Sequence, residues 1–278
     1  MLGYVPNLNM LIDTHCHLDA AEFDADRDSV AQAAFSTGLR MIVVPAVTRE
    51  NFQTVIDLSV QHPHVCFALG IHPMYVDNAK PSDLALLKKL VCEQIEHGKL
   101  VAIGEIGLDF FVTQQNRETQ EYFFTEQLKI AKEFNLPVIL HVRRAVDDVL
   151  KYLRKYKMTA GIAHAFNGSP QQAHEFIKLG FKLGFGGAMT YPRALKIREL
   201  ATNLPLESIV LETDAPDIPP EWLGTKGRNS PQELLKIAQC LADLRRMSVS
   251  QIIEITGKNS LQILPKLVSL CTPVEVLH

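Results

Sequence analysis

Short apolar runs alternate with longer amphipathic stretches along almost the whole chain. The apolar runs are rich in β-branched and aromatic side chains, which is typical of strands that are buried on both faces of a parallel sheet. They begin about 20 to 40 residues apart, which leaves room for one helix and two loops between successive strands. The predicted strands are Leu11–Asp13, Met41–Val44, Val65–Leu69, Leu100–Ile103, Pro137–Leu140, Gly161–Ala163, Lys182–Phe185 and Ile209–Leu211.

Helical periodicity occupies the stretches between these runs. Apolar residues three and four positions apart predict helices over Asp83–Glu96 and Gln120–Phe134. Serine or aspartate beside proline is the usual chemistry of a helix start, since the side chain caps the first turn and proline fits its first position. Such starts are predicted at Pro81-Ser82-Asp83, Ser169-Pro170 and Ser230-Pro231.

Eight alternating strand–helix units predict a parallel sheet with right-handed crossovers. A chain of 278 residues is long enough to close these units into one (β/α)8 TIM barrel, so we expect a single domain over residues 1–278. An open doubly wound sheet is the alternative. The sequence has neither a Rossmann nor a P-loop fingerprint, and Gly184-Phe185-Gly186-Gly187 is interpreted as a tight strand end.

Composition and charge narrow the class of protein. The net charge of −3 argues against a protein that coats nucleic acid by bulk charge, although it permits an enzyme that grips one strand end. Five cysteines without a CxxC pair favour a reducing compartment. The apolar runs are too short to span a bilayer, and residues 1–6 do not resemble a signal peptide. We expect a monomeric cytoplasmic enzyme without a membrane or an obligate protein partner.

Polar residues with metal-binding chemistry follow six of the eight predicted strands. In a barrel, the carboxyl ends of the strands meet at one face, where catalytic groups are expected. These side chains are therefore predicted to share one pocket. They are His15, His17, His72, Glu105, His141, His164 and Asp214.

His15-Cys16-His17 is the sharpest local signal. Residues two apart in an extended strand point the same way, so both imidazoles can reach one ion while Cys16 points outward. The alternative is two polar residues that end a strand. Glu105 lies in an apolar run, where an acid is costly to bury unless it is paired or bound to metal. It is either part of a salt bridge or a carboxylate that bridges two cations.

The remaining candidates each have two interpretations. Asp214 is a turn residue or a metal ligand that accepts a proton from water. Glu212 has the same side-chain parity as Asp214 and is predicted to orient a ligand histidine. His72 is a turn residue or a donor to an anionic substrate. His164 precedes a predicted helix start, where anions bind.

Four further residues are candidates for contact with substrate. Arg143, Arg144 and Arg228 are candidates for phosphate contacts, with simple solvation as the alternative. Trp222 follows the eighth strand and either stacks on a substrate or packs its own loop.

Six segments in chain order resemble the TatD family of metal-dependent hydrolases, within it most closely the YjjV subgroup. The resemblance covers about residues 10–265. The segments are Asp13–Asp19, Ala68–Pro73, Gly104–Asp109, Pro137–His141, His164 with Asn167-Gly168-Ser169, and Glu212–Pro216.

The resemblance implies an amidohydrolase-type TIM barrel with two divalent metal ions, which would be Zn, Mg or Mn. By position, the first ion would be held by His15, His17, Glu105 and Asp214, and the second by Glu105, His141 and His164. His72 would line the site near the scissile phosphate, and Asp214, Glu105 and His72 would be the catalytic residues. The chain departs from the family at Ala165 and at Asp217, whose carboxylate near the mouth would repel an anion.

Three functions follow from these residues. The first is metal-assisted hydrolysis of DNA phosphodiesters from a 3′ end, with Asp214 as the proton acceptor. The second is hydrolysis of an ester or amide at the same site, for example an aminoacyl ester on tRNA or a small cyclic amide. The third is a barrel that binds metal structurally, although no cysteine is a candidate ligand here.

Overall fold

Eight parallel strands form one continuous sheet in the computed structural model, which describes residues 10–111 and 116–271. The strands are neighbours in chain order. Backbone hydrogen bonds from Thr14 N to Leu211 O (3.1 Å) and from Asp214 N to His15 O (2.8 Å) join the last strand to the first. The sheet is therefore a (β/α)8 TIM barrel, as predicted. The strands are β1 (Leu11–Asp13), β2 (Leu39–Pro45), β3 (Val65–Leu69), β4 (Leu100–Asp109), β5 (Val138–Arg143), β6 (Gly161–Ala163), β7 (Lys182–Phe185) and β8 (Ile209–Leu211).

Helices separate the strands and extend past the last one. The predicted helices over Asp83–Glu96 and Gln120–Phe134 are α3 and α4. α3 begins at the predicted start, Pro81, whereas α4 begins three residues earlier than its periodicity predicts. In α4 the reason is Asn116, whose side chain accepts the Glu118 and Thr119 N–H groups. The helices of the described residues are α1 (Arg27–Ser36), α2 (Phe52–Gln61), α3 (Pro81–Gln94), α4 (Arg117–Glu133), α5 (Val146–Tyr156), α6 (Pro170–Lys178), α7 (Leu195–Asn203), α8 (Leu234–Arg245), α9 (Val249–Ile263) and α10 (Leu267–Cys271).

Three strands, β2, β4 and β5, extend beyond their predicted bounds, and in β4 and β5 this changes where a site residue lies. β4 continues to Asp109 and β5 to Arg143, so Glu105 and His141 lie inside strands rather than past their carboxyl ends. The sequence-based placement of these two residues was wrong because each polar side chain interrupts the apolar pattern without ending the strand. Both still face the carboxyl end of the barrel.

Alternate strand residues face two separate hydrophobic layers. Leu11, Val65 and Phe67 belong to the larger layer, which packs the strands against the helices around the barrel. Ile12, Cys66 and other residues of opposite parity form a smaller cluster inside the barrel. Ile263 and Leu267, from α9 and α10, and Leu264 between these helices complete this smaller cluster at the end where the strands begin. Apolar side chains thus fill the barrel interior at the amino-terminal ends of the strands, and the site lies at the carboxyl-terminal ends.

No helix of the described residues is long and apolar enough to cross a membrane. The prediction that no signal peptide is present concerns residues 1–6, which lie outside the described residues. Cys16, Cys66, Cys92, Cys240 and Cys271 are all free thiols.

Asn259 on α9 tests how much the contacts between α9 and the start of β8 contribute to stability. Its side-chain amide donates to Leu206 O (2.8 Å) and Ile209 O (2.7 Å), and it is buried. Asn259→Ala leaves both carbonyls without this donor, so we expect the free energy of unfolding to fall by about 1–3 kcal/mol. Urea denaturation measures it. The adjacent, exposed Lys258→Ala is the control, with an expected change below about 0.5 kcal/mol. Equal midpoints for the two variants would contradict this account.

Candidate active site

The seven polar residues predicted to share a pocket converge at the carboxyl end of the barrel. The carboxylate of Glu105 is at their centre and is almost fully buried, with 2 % of its surface exposed. Five imidazole nitrogens lie within 3.4 Å of its two oxygens. The seventh residue, Asp214, contacts this group from the solvent side.

One oxygen of Glu105 belongs to a first group of ligand atoms, here called the first cluster: His15, His17, Asp214 and Glu105 Oε2. The Nε2 atoms of His15 and His17 lie 3.2 Å apart, which fulfils the expectation that the two imidazoles converge. They lie 3.2 and 3.4 Å from Glu105 Oε2, and 3.5 and 3.7 Å from Asp214 Oδ1. Cys16 points away from them into the layer between strands and helices.

The other oxygen faces a second cluster, formed by His72, His141, His164 and Glu105 Oε1. Distances to Glu105 Oε1 are 2.8 Å from His164 Nε2, 3.0 Å from His141 Nδ1 and 3.2 Å from His72 Nε2. The rings of His141 and His164 are 5.7 Å apart, whereas His164 stacks on His15 at 3.9 Å. His164 therefore lies between the two clusters.

A bulge in β4 aims Glu105 into the barrel. Ile103 pairs with Val138 and Ile106 pairs with Leu140, so β4 has one residue more than β5 across this interval. An extra residue of this kind locally redirects the side chains of the bulged strand. Gly104 permits the bulge because a Cβ there would lie 2.7 Å from the Ile139 Cβ.

Asp13 holds together the ends of β1 and β8. Its carboxylate accepts the Thr213 N–H (3.0 Å), the Thr213 hydroxyl (2.6 Å) and, at 3.3 Å, the His15 N–H. Asn229 donates to Thr213 O (2.8 Å) and Asp217 O (2.9 Å) on the other side of this loop. These contacts fix His15 relative to Asp214, whose backbone is left-handed with φ of 57°.

Asp109 is a site residue that the sequence analysis quoted in a motif without assigning it a role. Its Oδ2 atom accepts the Nε2–H of His141 at 2.9 Å, and Nδ1 of the same ring lies 3.0 Å from Glu105 Oε1, where it donates when the ring is protonated and offers a lone pair to a cation when the ring is neutral. Metal-binding histidines commonly donate their second N–H to a carboxylate in this way. The sequence signal for this role was an acidic residue, Asp109, two positions after Gly107 in an apolar run. Asp109 is fully buried.

His72 is held in one tautomer by the backbone. Its Nδ1 accepts the Met74 N–H at 3.1 Å, so the proton of the neutral ring is on Nε2. That N–H points at Glu105 Oε1. His72 is therefore oriented as a hydrogen-bond donor to Glu105 even when its ring is neutral.

Glu212 lies deeper than Asp214, as predicted, with 1 % of its surface exposed against 9 %. Its Oε1 atom accepts the Ala165 N–H at 2.5 Å and lies 3.9 Å from His164 Nδ1, too far for a hydrogen bond. A Cβ at Gly184 would overlap this carboxylate. Glu212 is thus confined beneath His164.

Burial and neighbouring charges move the pKa values of the site in opposite directions. Burial raises the pKa of a carboxyl, but the histidines around Glu105, His164 foremost, bring its pKa well below the usual range. Burial lowers the pKa of an imidazole, but Glu105 raises the pKa of His17 to about 9 and that of His164 to about 10. Burial raises the pKa of Glu212 to about 8. At neutral pH, His17 and His164 are therefore protonated beside the ionised carboxylate of Glu105.

These donor atoms fit divalent cations. Imidazole nitrogens and carboxylate oxygens suit Zn and Mn, and carboxylates suit Mg. Three groups of ligand atoms within 4.8 Å of one another occur among the described residues. They are His15 with Glu105 and His164, His15 with His17 and Asp214, and His72 with Glu105 and His141. A cation on either side of Glu105 would replace the protons that now balance its charge.

Two predicted substrate contacts are occupied by other partners. Arg228 forms two hydrogen bonds with the carboxylate of Asp26, at 2.8 and 2.6 Å, so it is not free to bind phosphate. Trp222 donates its indole N–H to Glu233 at 2.7 Å, which favours packing of its own loop over stacking on a substrate.

Glu105→Gln tests whether this carboxylate causes the raised pKa values. Burial of His17 and His164 persists in the variant without the opposing charge, so we expect both pKa values to fall to or below about 6.5. NMR titration of the imidazole carbons in metal-free protein measures them. The control is Glu254→Gln on α9. Midpoints that stay near 9 and 10 in Glu105→Gln would contradict the assigned cause.

Comparison with known proteins places this site in a family. The model of the TatD related DNase family matches residues 12–265. The metal-dependent hydrolase YjjV of Escherichia coli K12, named as uncharacterized, is 41% identical over 251 residues, which cover 90% of this chain and 95% of that protein. Human deoxyribonuclease TATDN3 is 34% identical over 268 residues, 92% of this chain and 95% of that protein.

Solved structures agree with this relationship. The crystal structure of Escherichia coli YjjV, described as a TatD homologue, superimposes with a TM-score of 0.87 at 38% identity. The match covers 93% of this chain and 99% of that one. Because the family model spans nearly the whole barrel, including all seven converging residues, the chain belongs to the TatD-related family of metal-dependent hydrolases.

Proposed function

We propose that this protein hydrolyses phosphodiester bonds of DNA with two divalent cations, and that it works from the 3′ end of a strand. The observation that carries the proposal is the buried Glu105, whose two oxygens face separate clusters of imidazoles. A shared carboxylate between two ligand sets is the arrangement that a two-metal phosphodiesterase requires. The name deoxyribonuclease of the human relative supports DNA as the substrate.

The ligands divide between the clusters. His15, His17, Asp214 and Glu105 would hold the first cation, and Glu105, His141 and His164 would hold the second. The Asp109 carboxylate supports this division because it fixes the tautomer in which His141 offers Nδ1 to the centre. When bound, divalent cations would acidify water, whose pKa they lower from about 15.7 to about 7, and would stabilise negative charge on a phosphoryl group.

The chain's own residues supply the remaining steps. Asp214 is more exposed than Glu105, at 9 % against 2 %, so it borders the position that an attacking water would take. Burial raises the pKa of Asp214, which strengthens it as a proton acceptor. The Nε2–H of His72 would donate to a phosphate oxygen in place of Glu105. Burial lowers the pKa of His72, which keeps the ring a neutral donor.

Removal and return of metal tests the proposal with Glu105→Gln and Asp214→Asn. We expect chelated protein to be inactive on single-stranded DNA. Addition of Mn, Zn or Mg should restore a ladder that shortens from the 3′ end. Each variant should lower kcat/KM at least about 100-fold, since it removes a shared ligand or a general base. Strands labelled at either end give the rate and the direction.

The controls are the exposed carboxylates Asp28→Asn and Glu254→Gln, which should retain full activity. Thermal melting checks that each variant folds, and equilibrium dialysis counts the bound ions. Full metal-dependent activity in Glu105→Gln would sink the assignment. Ion binding without cleavage of any DNA, together with turnover of aminoacyl-tRNA or a simple ester, would instead establish the ester-hydrolase alternative.

Asp109→Asn tests the support of the second cluster. Loss of the carboxylate charge weakens the hold on the His141 tautomer, so we expect the affinity for one of the two ions to fall about 10- to 100-fold. Calorimetric titration of metal-stripped protein measures both affinities. Asp148→Asn is the control, since that carboxylate pairs with Arg117 at the rim. Two unchanged affinities in Asp109→Asn would show that Asp109 does not support a metal ligand.

A further inference from the structure

A groove of about 560 Å³ lies beside the second cluster at the mouth of the barrel. Its walls come from the ends of β4 and β5 and from the starts of the helices that follow. The polar and aromatic residues lining it include Phe111, Arg143, Arg144, Asp147, Asn167 and Gln172.

Two arginines stack on one exposed phenylalanine in this groove. The guanidinium carbons of Arg143 and Arg144 lie 3.8 and 4.6 Å from the centre of the Phe111 ring, which is 43 % exposed. Arg144 reaches the ring from a left-handed backbone with φ of 54°. Within residues 10–111 and 116–271, no carboxylate is paired with Arg144, and the nearest to Arg143 is Asp109 at 3.9 Å.

The ring and the metal-binding histidine are tied to the same side chain. The two oxygens of Asp109 accept the Phe111 N–H (2.9 Å) and the His141 Nε2–H (2.9 Å). This fixes the stacked group at a set distance from the second cluster. The opposite side of the mouth differs, because Arg228 and Trp222 are bound to Asp26 and Glu233.

The two carboxylates that line the groove, Asp147 and Asp148, each have another partner than Arg143 and Arg144. Asp148 pairs with Arg117 at 2.8 Å, and Asp147 accepts the Gln172 amide at 3.0 Å. The guanidinium groups of Arg143 and Arg144 therefore keep their positive charge available beside the ring. An aromatic face beside positive charge suits a nucleotide, whose base stacks on the ring and whose phosphate meets the arginines.

We propose that Phe111, Arg143 and Arg144 bind the nucleotide next to the scissile phosphate, with its base unpaired and stacked on Phe111. The proposal rests on the phosphodiesterase function proposed above and adds the three residues that would hold this nucleotide. A base held in a duplex cannot lie against this ring, so a paired end must open before it enters the groove.

Oligonucleotides with a single abasic position next to the cleaved bond test the stacking. Phe111→Ala should raise KM for the intact single strand about 5- to 100-fold with a smaller effect on kcat. It should change KM less than about twofold on the abasic strand, where no base remains to stack. Tyr122→Ala, another half-exposed aromatic, is the control and should leave both substrates unaffected.

Salt dependence tests the phosphate contact. Arg144→Ala should weaken binding and lower the slope of log affinity against log salt concentration by about 0.7 for a single strand. Arg246→Ala is a matched control, since Arg246 is exposed and has the same φ of 54°. Affinity is measured by fluorescence anisotropy of a labelled single strand in chelator, where no strand is cut.

The outcomes separate the two proposals. Wild-type cleavage of DNA that is insensitive to Phe111→Ala and Arg144→Ala would overturn the nucleotide subsite and leave the proposed function intact. Strand binding that depends on both residues, without cleavage by any metal-loaded protein, would sustain the subsite and contradict the function. Binding that depends on neither residue, without cleavage, would overturn both.

Discussion

A buried carboxylate must have its charge balanced, and in this barrel that requirement organises the whole mouth. Glu105 is removed from water, and a lone buried charge is too costly to persist without partners. Five imidazoles from four different strands surround it. In metal-free protein the balancing protons are held by His17, His141 and His164, whose pKa values the nearby carboxylates raise, while burial lowers the pKa values of His15 and His72. The same nitrogen atoms are lone-pair donors once the protons leave, so the histidines around Glu105 form a candidate cation site.

The barrel fixes this centre through contacts far apart in sequence. Asp13 and Thr213 are 200 residues apart, yet their hydrogen bonds close the sheet between β8 and β1 and set His15 against Asp214. On the other side, Asp109 orients His141 and also Phe111, the second residue of the following loop. The hydrophobic layers provide rigidity, while these few buried polar contacts decide where the ligand atoms point.

The sequence predicted all eight strands and the seven residues that converge. Apolar runs identify strands well when both faces are buried, and β1, β3, β6, β7 and β8 have the bounds predicted. The apolar pattern failed to give the ends of β4 and β5, because Glu105 and His141 are polar residues inside these strands. The bulge that aims Glu105 depends on pairing with β5, and the role of Asp109 depends on a partner 32 residues away. Neither is visible in local periodicity.

Anomalous diffraction from crystals loaded with manganese tests the central claim most directly, which is that Glu105 is shared by two cations. The account predicts two anomalous peaks about 3.5–4 Å apart, one on each side of the Glu105 carboxylate. One should be ligated by His15 and His17, and the other by His141 Nδ1 and His164 Nε2. A single peak, or two peaks of which neither contacts Glu105, would contradict it.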